Sequence, residues 1–116
     1  MAQYTKQFLT GGTADGRGIA VVQTATAGTL IHTVPASVTD EIWLYAANVH
    51  TAAVILTVEF GGATITSDLI QQSIAATPSG LVLVCAGLIL TGSVVVTAFA
   101  GTASKIELFG YGNRIT

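Results

Sequence analysis

Apolar and polar residues alternate through the middle of the chain. From Val54 to Phe60 the sequence reads VILTVEF, which places Val, Leu, Val and Phe on one side and Ile55, Thr57 and Glu59 on the other. A period of two is typical of a strand whose two faces have different surroundings. We expect the first set to face a core and Glu59 to face out.

The preceding segment, EIWLYAA from Glu41, is a second strongly β-prone run. Its alternation directs Ile42, Leu44 and Ala46 toward the core and sends Trp43 and Tyr45 to the opposite face. The link through residues 48–51 has the length and polarity of a hairpin loop. The stretch 41–60 is therefore predicted to be a β-hairpin around which the rest of the chain is organised.

Six more β-prone runs are separated by glycine, proline and serine, which are common turn residues. They span residues 18–25, 29–34, 69–75, 81–85, 94–100 and 104–111, and the first two are expected to form a second hairpin. Segment 67–75 also fits a short helix capped by Ser67, although we interpret it as a strand. Eight short strands predict an all-β fold, with residues 18–116 as one antiparallel β-sandwich domain.

Residues 1–17 are predicted to form an extended N-terminal arm. The side chains of Tyr4, Phe8 and Leu9 precede the polar, glycine-rich stretch GGTADGRG, which favours a loop or hinge. These three side chains are candidate contacts. The sequence leaves open whether they pack on their own molecule or reach over a neighbouring subunit.

The low charge content distinguishes this chain from most soluble proteins. Only 9% of its residues are charged and 51% are hydrophobic, whereas about 25% charged residues are usual. So few charges give little protection against association, and we infer that a partner covers much of the surface. The net charge of -2 and only 4 scattered cations exclude a basic stripe for nucleic acid.

A membrane-spanning helix is the alternative for the uncharged stretch 69–104, which is longer than the roughly 20 apolar residues of a span. Against that alternative, Gly80, Gly87, Gly92 and Gly101 divide the stretch into pieces of strand length. We therefore expect strands and no membrane partner. The first residues lack the basic and apolar regions of a signal peptide, so we expect synthesis in a cytoplasm.

No combination of residues predicts catalysis, a metal site or a cofactor. His32 and His50 lack Cys, Asp or Glu at ligand spacing, and His32 is expected to be a hydrogen-bonded structural residue. Asp40 is expected to be a turn residue. Its neighbour Glu41 points to the other face of the strand, so the two carboxyl groups are poorly placed to act as general acid and general base on one substrate. Cys85 is expected to be a buried thiol. The chain is therefore predicted not to be an enzyme.

Trp43 and Tyr45 are the candidate interface residues of the predicted sheet. If the opposite face lines the core, both side chains are exposed in a monomer. Aromatic residues are enriched at protein interfaces. The alternative is that the N-terminal arm covers them.

Four segments of the sequence resemble a known family. They are EIWLYAANVHTAAVILTVEFGG, SDLI, SGLVLVCAGLILTGSVVVTAFA and the ending IELFGYGNRIT. Together they cover most of the chain from about Asp40 onward and are similar to small β-sandwich proteins that decorate the heads of tailed bacteriophages. The similarity is a pattern over the whole segment rather than one diagnostic motif.

The resemblance implies a jelly-roll-like sandwich that binds outside the capsid, commonly as a homotrimer, and cements neighbouring capsomers. Its partners are then the major capsid protein and further copies of the chain, and its location is the outer surface of the virion. We expect Tyr4, Phe8 and Leu9 to contact the capsid or a neighbouring subunit, and Trp43 and Tyr45 to seal subunits together. The alternative functions are another virion part, such as a tail, collar or fibre component, and a carbohydrate-binding β-sandwich module.

Overall fold

Nine β-strands form the regular structure of residues 3–116, the part of the chain that the computed structural model describes. Most are rich in β-branched, aromatic and small residues, which suit a pleated and half-buried surface. The strands are β1 (Tyr4–Phe8), β2 (Ile19–Val21), β3 (Thr29–Thr33), β4 (Thr39–Asn48), β5 (Val54–Phe60), β6 (Leu69–Ile74), β7 (Val82–Leu90), β8 (Val95–Ala100) and β9 (Ile106–Ile115).

The strands form two antiparallel sheets that pack face to face. Sheet I has the order β1-β9-β4-β7, and β2 pairs with β9 beyond the end of β1. Sheet II has the order β3-β8-β5-β6. Because β1 and β2 lie along the same side of β9, they act as one interrupted edge strand. Successive strands mostly alternate between the sheets, which is the strand order of a jelly roll. The predicted antiparallel β-sandwich is confirmed.

The two predicted hairpins are wrong, although their strands are present. β4 belongs to sheet I and β5 to sheet II, so the link between them crosses from one sheet to the other. In the same way, β2 lies in sheet I and β3 in sheet II. Alternation indicates which side chains face the core, but two strands that pack across a core satisfy it as well as two strands that pair.

The core lies between the sheets. In β4 the buried residues alternate with half-buried ones, and Ile42, Leu44 and Ala46 have no exposed surface, as predicted. Leu56 of β5 belongs to the same cluster from sheet II, and Cys85 is a buried free thiol, as expected. Burying a side chain such as Leu44 or Leu56 contributes about 1.5–3 kcal/mol, so this shared core is the main force that holds the sheets together.

The predicted N-terminal arm contains the first strand of sheet I. Residues 4–8 pair with residues 111–115 of β9, and the side chain of Leu9 enters the core. The Gly11 amide then donates a hydrogen bond to the carbonyl of Ile31 (2.9 Å). The sequence left open whether this segment packs on its own molecule or on a neighbouring subunit, and in the structure it packs on its own molecule. Residues 1 and 2 of the predicted arm lie outside the described part of the chain.

The segments for which a helix was the alternative are strands. Residues 69–74 form β6, and the uncharged stretch continues through β7 and β8. β7 extends beyond its predicted end because Gly87, at φ 76, forms a bulge that lets pairing with β4 continue to Leu90. Within residues 3–116, no helix has the length and hydrophobicity of a membrane span.

Candidate functional site

The outer face of sheet I collects most of the aromatic side chains. Residues directly opposite each other on antiparallel strands share a face, and the register places six of the eight aromatic residues on the side away from the core. Leu83 of β7 lies opposite one of them, Tyr45. We call this set the aromatic face; it consists of Tyr4, Phe8, Trp43, Tyr45, Phe109, Tyr111 and Leu83.

Three neighbouring strands build the centre of the aromatic face. Tyr111 of β9 lies opposite Phe8 of β1 on one side and opposite Trp43 of β4 on the other. In the next row, Tyr45 lies opposite Phe109. The rings of Trp43 and Tyr111 stack, with centroids 6.3 Å apart and 12° between their planes, which is within the range of favourable aromatic pairs. The rings thus form one continuous surface across the sheet.

Two charged residues beside the aromatic face, Glu41 and Lys6, contact its rings. Nε1–H of Trp43 donates a hydrogen bond to Oε1 of Glu41 (2.8 Å). Nζ of Lys6 lies 4.7 Å from the centre of the Tyr111 ring, within the range of a cation–π contact. These contacts fix the orientation of the stacked pair, so the surface is organised before any partner arrives.

Part of the aromatic face is open to solvent in the described chain. Tyr4 is 67% exposed, Phe8 54% and Leu83 47%. The other four side chains, Trp43, Tyr45, Phe109 and Tyr111, are half-buried. An exposed apolar patch of this kind on a single molecule is typical of a binding surface.

Gly18→Ala is expected to disturb the aromatic face. A Cβ at position 18 lies 2.7 Å from Cζ of Phe109, so the ring must move from its place. We expect the free energy of unfolding to fall by about 1–2 kcal/mol and the near-UV circular dichroism of the aromatic residues to change. Gly101→Ala is the control, because a Cβ at position 101 meets nothing within 4 Å. Equal effects of the two substitutions contradict the prediction.

The five predicted contact residues have two different environments. Tyr4, Phe8, Trp43 and Tyr45 share the aromatic face, although nothing in the sequence indicated that the first two lie beside the last two. Leu9 is 7% exposed and belongs to the core. The reason is that Leu9 directly follows Phe8, and successive side chains of an extended chain point to opposite sides.

Phe109 and Tyr111 are the residues of the aromatic face that the sequence reasoning missed. The ending IELFGYG contains the signal, because Glu107, Phe109 and Tyr111 share one parity and alternate with Leu108 and glycine. That alternation places both rings on an outer face. It does not reveal that β9 lies between β1 and β4, which is what brings Tyr111 beside Trp43.

A buried polar network lies apart from the aromatic face, on the core side of the sheets. His32 of β3 and Asp40 of β4 have no exposed surface, and Nε2 of His32 lies 2.7 Å from Oδ2 of Asp40. Arg114 of β9 donates to the same carboxylate from Nε (2.9 Å) and Nη2 (3.0 Å). The Thr10 amide donates to Nδ1 of His32 (3.2 Å). Because Nδ1 accepts, the ring carries its proton on Nε2 and donates it to Asp40.

This network stabilises the fold. Both ring nitrogens of His32 are occupied, so neither is free to transfer a proton to a substrate, and the predicted structural role of His32 is confirmed. Asp40, in contrast, is wrongly predicted as a turn residue, because it lies within β4 and pairs with Arg114, which is 74 positions away. Burial raises the pKa of the Asp40 carboxyl, but hydrogen bonds from Arg114 and His32 outweigh burial, and the pKa is lowered.

The outer face of sheet II carries a smaller site around Glu59. Glu59 points away from the core, as predicted, but it is only 3% exposed, because the loop between β2 and β3 folds over it. Oε1 of Glu59 accepts hydrogen bonds from the Gly28 amide (3.0 Å) and the Thr97 hydroxyl (2.9 Å). The hydroxyl of Thr26 donates to Oε2. A cavity of about 260 Å³ opens beside this carboxylate.

Neither the aromatic face nor the Glu59 cavity contains a metal-binding set of ligands. Among residues 3–116, no three His, Cys, Asp or Glu side chains come together as a metal site requires. Burial raises the pKa of the Cys85 thiol, which disfavours the reactive thiolate. No protein-family model matches the chain, and searches of curated proteins and of solved structures returned no match.

Proposed function

We propose that this chain is a structural virion protein that binds the outside of a bacteriophage capsid as a decoration protein, with the aromatic face as its contact surface for the capsid and for further copies of the chain. The observation that carries the proposal is the gathering of six of the eight aromatic residues on one open sheet face. Tyrosine and tryptophan are prominent among the residues that dominate binding energy at protein interfaces. The resemblance of the sequence from about Asp40 onward to head-decoration proteins directs the proposal to a capsid.

The edge of sheet I beside the aromatic face supports association between copies of the chain. β7 has no charged residue over its nine positions, and Leu83, Leu88 and Ile89 on it are exposed. An uncharged, apolar edge strand promotes association unless something covers it. In the proposed homotrimer, β7 and the neighbouring Trp43 and Tyr45 face the next copy, while Tyr4 and Phe8 on the other edge face the capsid.

The proposed mechanism is mechanical. A β-sandwich with a preorganised surface loses little conformational freedom when it docks, so most of the contact energy remains available to hold the shell. Packed DNA pushes capsomers apart, and each clamp that spans a seam adds binding free energy that must be lost before the shell opens. Several contacts per trimer compound modest individual affinities.

A binding measurement on undecorated heads tests the capsid contact. The double variant Tyr4→Ala/Phe8→Ala is expected to raise the dissociation constant about 30-fold or more, because truncating an aromatic hot-spot residue costs about 2 kcal/mol or more. Co-sedimentation of the purified protein with heads of the phage that encodes it measures the change. Phe99→Ala, a truncation on the outer face of sheet II, is the matched control. Unchanged binding by the double variant contradicts the proposal.

The oligomeric mass tests the contact between copies. The chain has a mass of 11.8 kDa, so a homotrimer has a mass of 3 × 11.8 = 35.4 kDa. We expect light scattering after size-exclusion chromatography to give the trimer for the wild type and a smaller species for Trp43→Ala/Tyr45→Ala. If the double variant keeps the wild-type mass, Trp43 and Tyr45 are not part of the contact between subunits.

A carbohydrate-binding module is the second candidate, because its ligands also stack on exposed aromatic rings. The observation that favours it is the ordered pair of Trp43 and Tyr111, with Glu41 and Lys6 beside the rings. If a glycan array gives no hits, the chain is not a carbohydrate-binding module.

Another virion part is the remaining alternative. If electron micrographs of labelled virions show the label only on the tail, the chain is a tail, collar or fibre part instead.

A further inference from the structure

The cavity beside Glu59 lies on sheet II, on the opposite side of the sandwich from the aromatic face. We propose that this cavity binds a primary alkylammonium group, and that its natural occupant is the end of a lysine side chain from a partner protein. The proposal is independent of the capsid function, because it involves no residue of the aromatic face.

The charge of the site favours a cation as its ligand. Glu59 is 3% exposed, and within residues 3–116 no Lys, Arg or His forms an ion pair with it. Its hydrogen-bond donors are the neutral Gly28 amide and the hydroxyls of Thr26 and Thr97. A buried carboxylate is normally paired with a cation, so a cation in the adjoining cavity supplies the missing charge.

The number of acceptor positions that remain on the Glu59 carboxylate favours an ammonium group. A carboxylate offers about four lone-pair sites, and the three hydrogen bonds at Glu59 leave one site, on Oε2. One free site does not suit the two parallel hydrogen bonds that a guanidinium prefers. An ammonium group needs only one bond to Oε2, and the hydroxyl oxygens of Thr26 and Thr97 are available to accept its other hydrogens.

The lining of the cavity favours a ligand with an apolar stem. The walls include the small apolar side chains of Ala27 and Ala63 and the larger one of Val95, and the volume is about 260 Å³. Gly61 and Gly62 also line the cavity. A charged group at the end of an apolar stem matches a cavity lined both by Glu59 and by apolar residues, and lysine combines these two properties.

The test is a titration of the ¹⁵N-labelled full chain with n-butylammonium chloride at constant ionic strength, followed by amide chemical shifts. We expect saturable shifts confined to residues 26–28, 61–63 and 95–97. n-Butanol, which has the same stem without the charge, is expected to give no saturable shifts, and n-butylguanidinium is expected to bind more weakly than n-butylammonium. Equal responses to n-butylammonium and n-butanol overturn the proposal.

Two variants connect binding to the carboxylate and to the cavity. Glu59→Gln keeps the shape of the side chain and is expected to weaken n-butylammonium binding about tenfold or more. Glu107→Gln, a loss of the same charge on sheet I, is the matched control and is expected to bind as the wild type does. Ala63→Leu fills the cavity and leaves Glu59 unchanged, so it is informative even if Glu59→Gln does not fold. Wild-type affinity in either Glu59→Gln or Ala63→Leu overturns the proposal.

A blocked peptide, acetyl-Gly-Lys-Gly-amide, distinguishes a protein lysine from a free amine. We expect it to shift the same amides and to bind at least as tightly as n-butylammonium, because the peptide adds contacts at the rim. A site that binds the amine but excludes the peptide overturns the assignment to a partner's lysine.

Discussion

Replacing Asp40 with alanine is expected to lower the free energy of unfolding by about 3–5 kcal/mol, the usual effect of removing one partner from a buried ion pair. The substitution leaves the guanidinium of Arg114 and the Nε2–H of His32 without their acceptor. His32 has no exposed surface, so its Nε2–H is left inside the sandwich without the charged acceptor that it has in the wild type. Urea denaturation at neutral pH measures the loss.

Asp15→Ala is the matched control for Asp40→Ala. Asp15 also pairs with an arginine, Arg17 (3.0 Å), but both side chains are largely exposed. Exposed ion pairs contribute little to stability, since solvent screens them, so this control is expected to leave stability nearly unchanged. If Asp40→Ala is no more destabilising than Asp15→Ala, the buried network does not stabilise the fold in the way its geometry indicates.

The pH dependence of stability gives an independent check on Asp40. Its pKa in the folded chain is lowered from the ordinary value of 3.8, so at acid pH the unfolded chain takes up this proton more readily than the folded chain. The stabilisation from Asp40 is complete above the ordinary value and is lost as the pH falls through the lower, folded value. The stability difference between the wild type and Asp40→Asn should therefore narrow below about pH 4.

Local alternation correctly predicted which side chains of β4 and β5 face the core. Ile42 and Leu44 are buried, and Trp43 and Tyr45 lie outside, as the period of two requires. Strand pairing was not predictable in this way. β4 and β5 are neighbours in sequence but lie in different sheets, because a short link permits either a hairpin or a crossing between sheets.

The contacts of the buried polar residues were also not predictable from local alternation. Nothing near Asp40 in sequence indicates that Arg114 will lie beside it, since the contact depends on the pairing of β4 with β9. Glu59 was correctly placed on an outer face, yet the loop that carries Thr26 and Gly28 covers it. Burial of a polar side chain by a distant loop leaves no periodic signal, so the cavity beside Glu59 was not predicted.

The candidate binding surface was predicted in part. Trp43 and Tyr45 were identified because a strand with one buried face leaves the other face available. Tyr4 and Phe8 were identified for their apolar character alone, and only the pairing of β1 with β9 brings them to the same surface. Strand pairing in sheet I thus places Tyr4 and Phe8 on the same surface as Trp43 and Tyr45, although the sequence did not connect the two pairs.

Asn48 at the end of β4 is the second position where a single substitution is expected to have a large effect. Asn48 is 2% exposed, and its Nδ2 lies 3.1 Å from the carbonyl oxygens of Ala52, Ile74 and Ala75. Its Oδ1 accepts a hydrogen bond from the His50 amide (2.8 Å). One side chain thus connects the end of β4 in sheet I to the end of β6 in sheet II.

Asn48→Asp preserves the shape of this side chain but replaces its donor with an oxygen. The new oxygen faces carbonyl oxygens, which leaves buried acceptors unsatisfied and a charge without a partner, and we expect a loss of about 3 kcal/mol or more at neutral pH. Urea denaturation measures the loss. Asn113→Asp is the control, because Asn113 lies on the outer face of sheet I between Lys6 of β1 and Glu41 of β4, whose charges act on a new carboxylate in opposite directions, and it is expected to change stability by less than about 0.5 kcal/mol.

The pH dependence of Asn48→Asp separates the missing donor from a general loss of packing. Burial raises the pKa of an introduced carboxyl group, and once protonated this group has an O–H that can donate to a carbonyl such as that of Ile74. The free energy of unfolding of Asn48→Asp should therefore rise toward that of the wild type as the pH falls, because the introduced carboxyl group destabilises the fold less once it is protonated, whereas the carboxyl group of Asp40 stabilises the fold when it is ionised. If the loss at position 48 stays constant from neutral to acid pH, then packing at this corner, rather than hydrogen bonding, connects the two sheets.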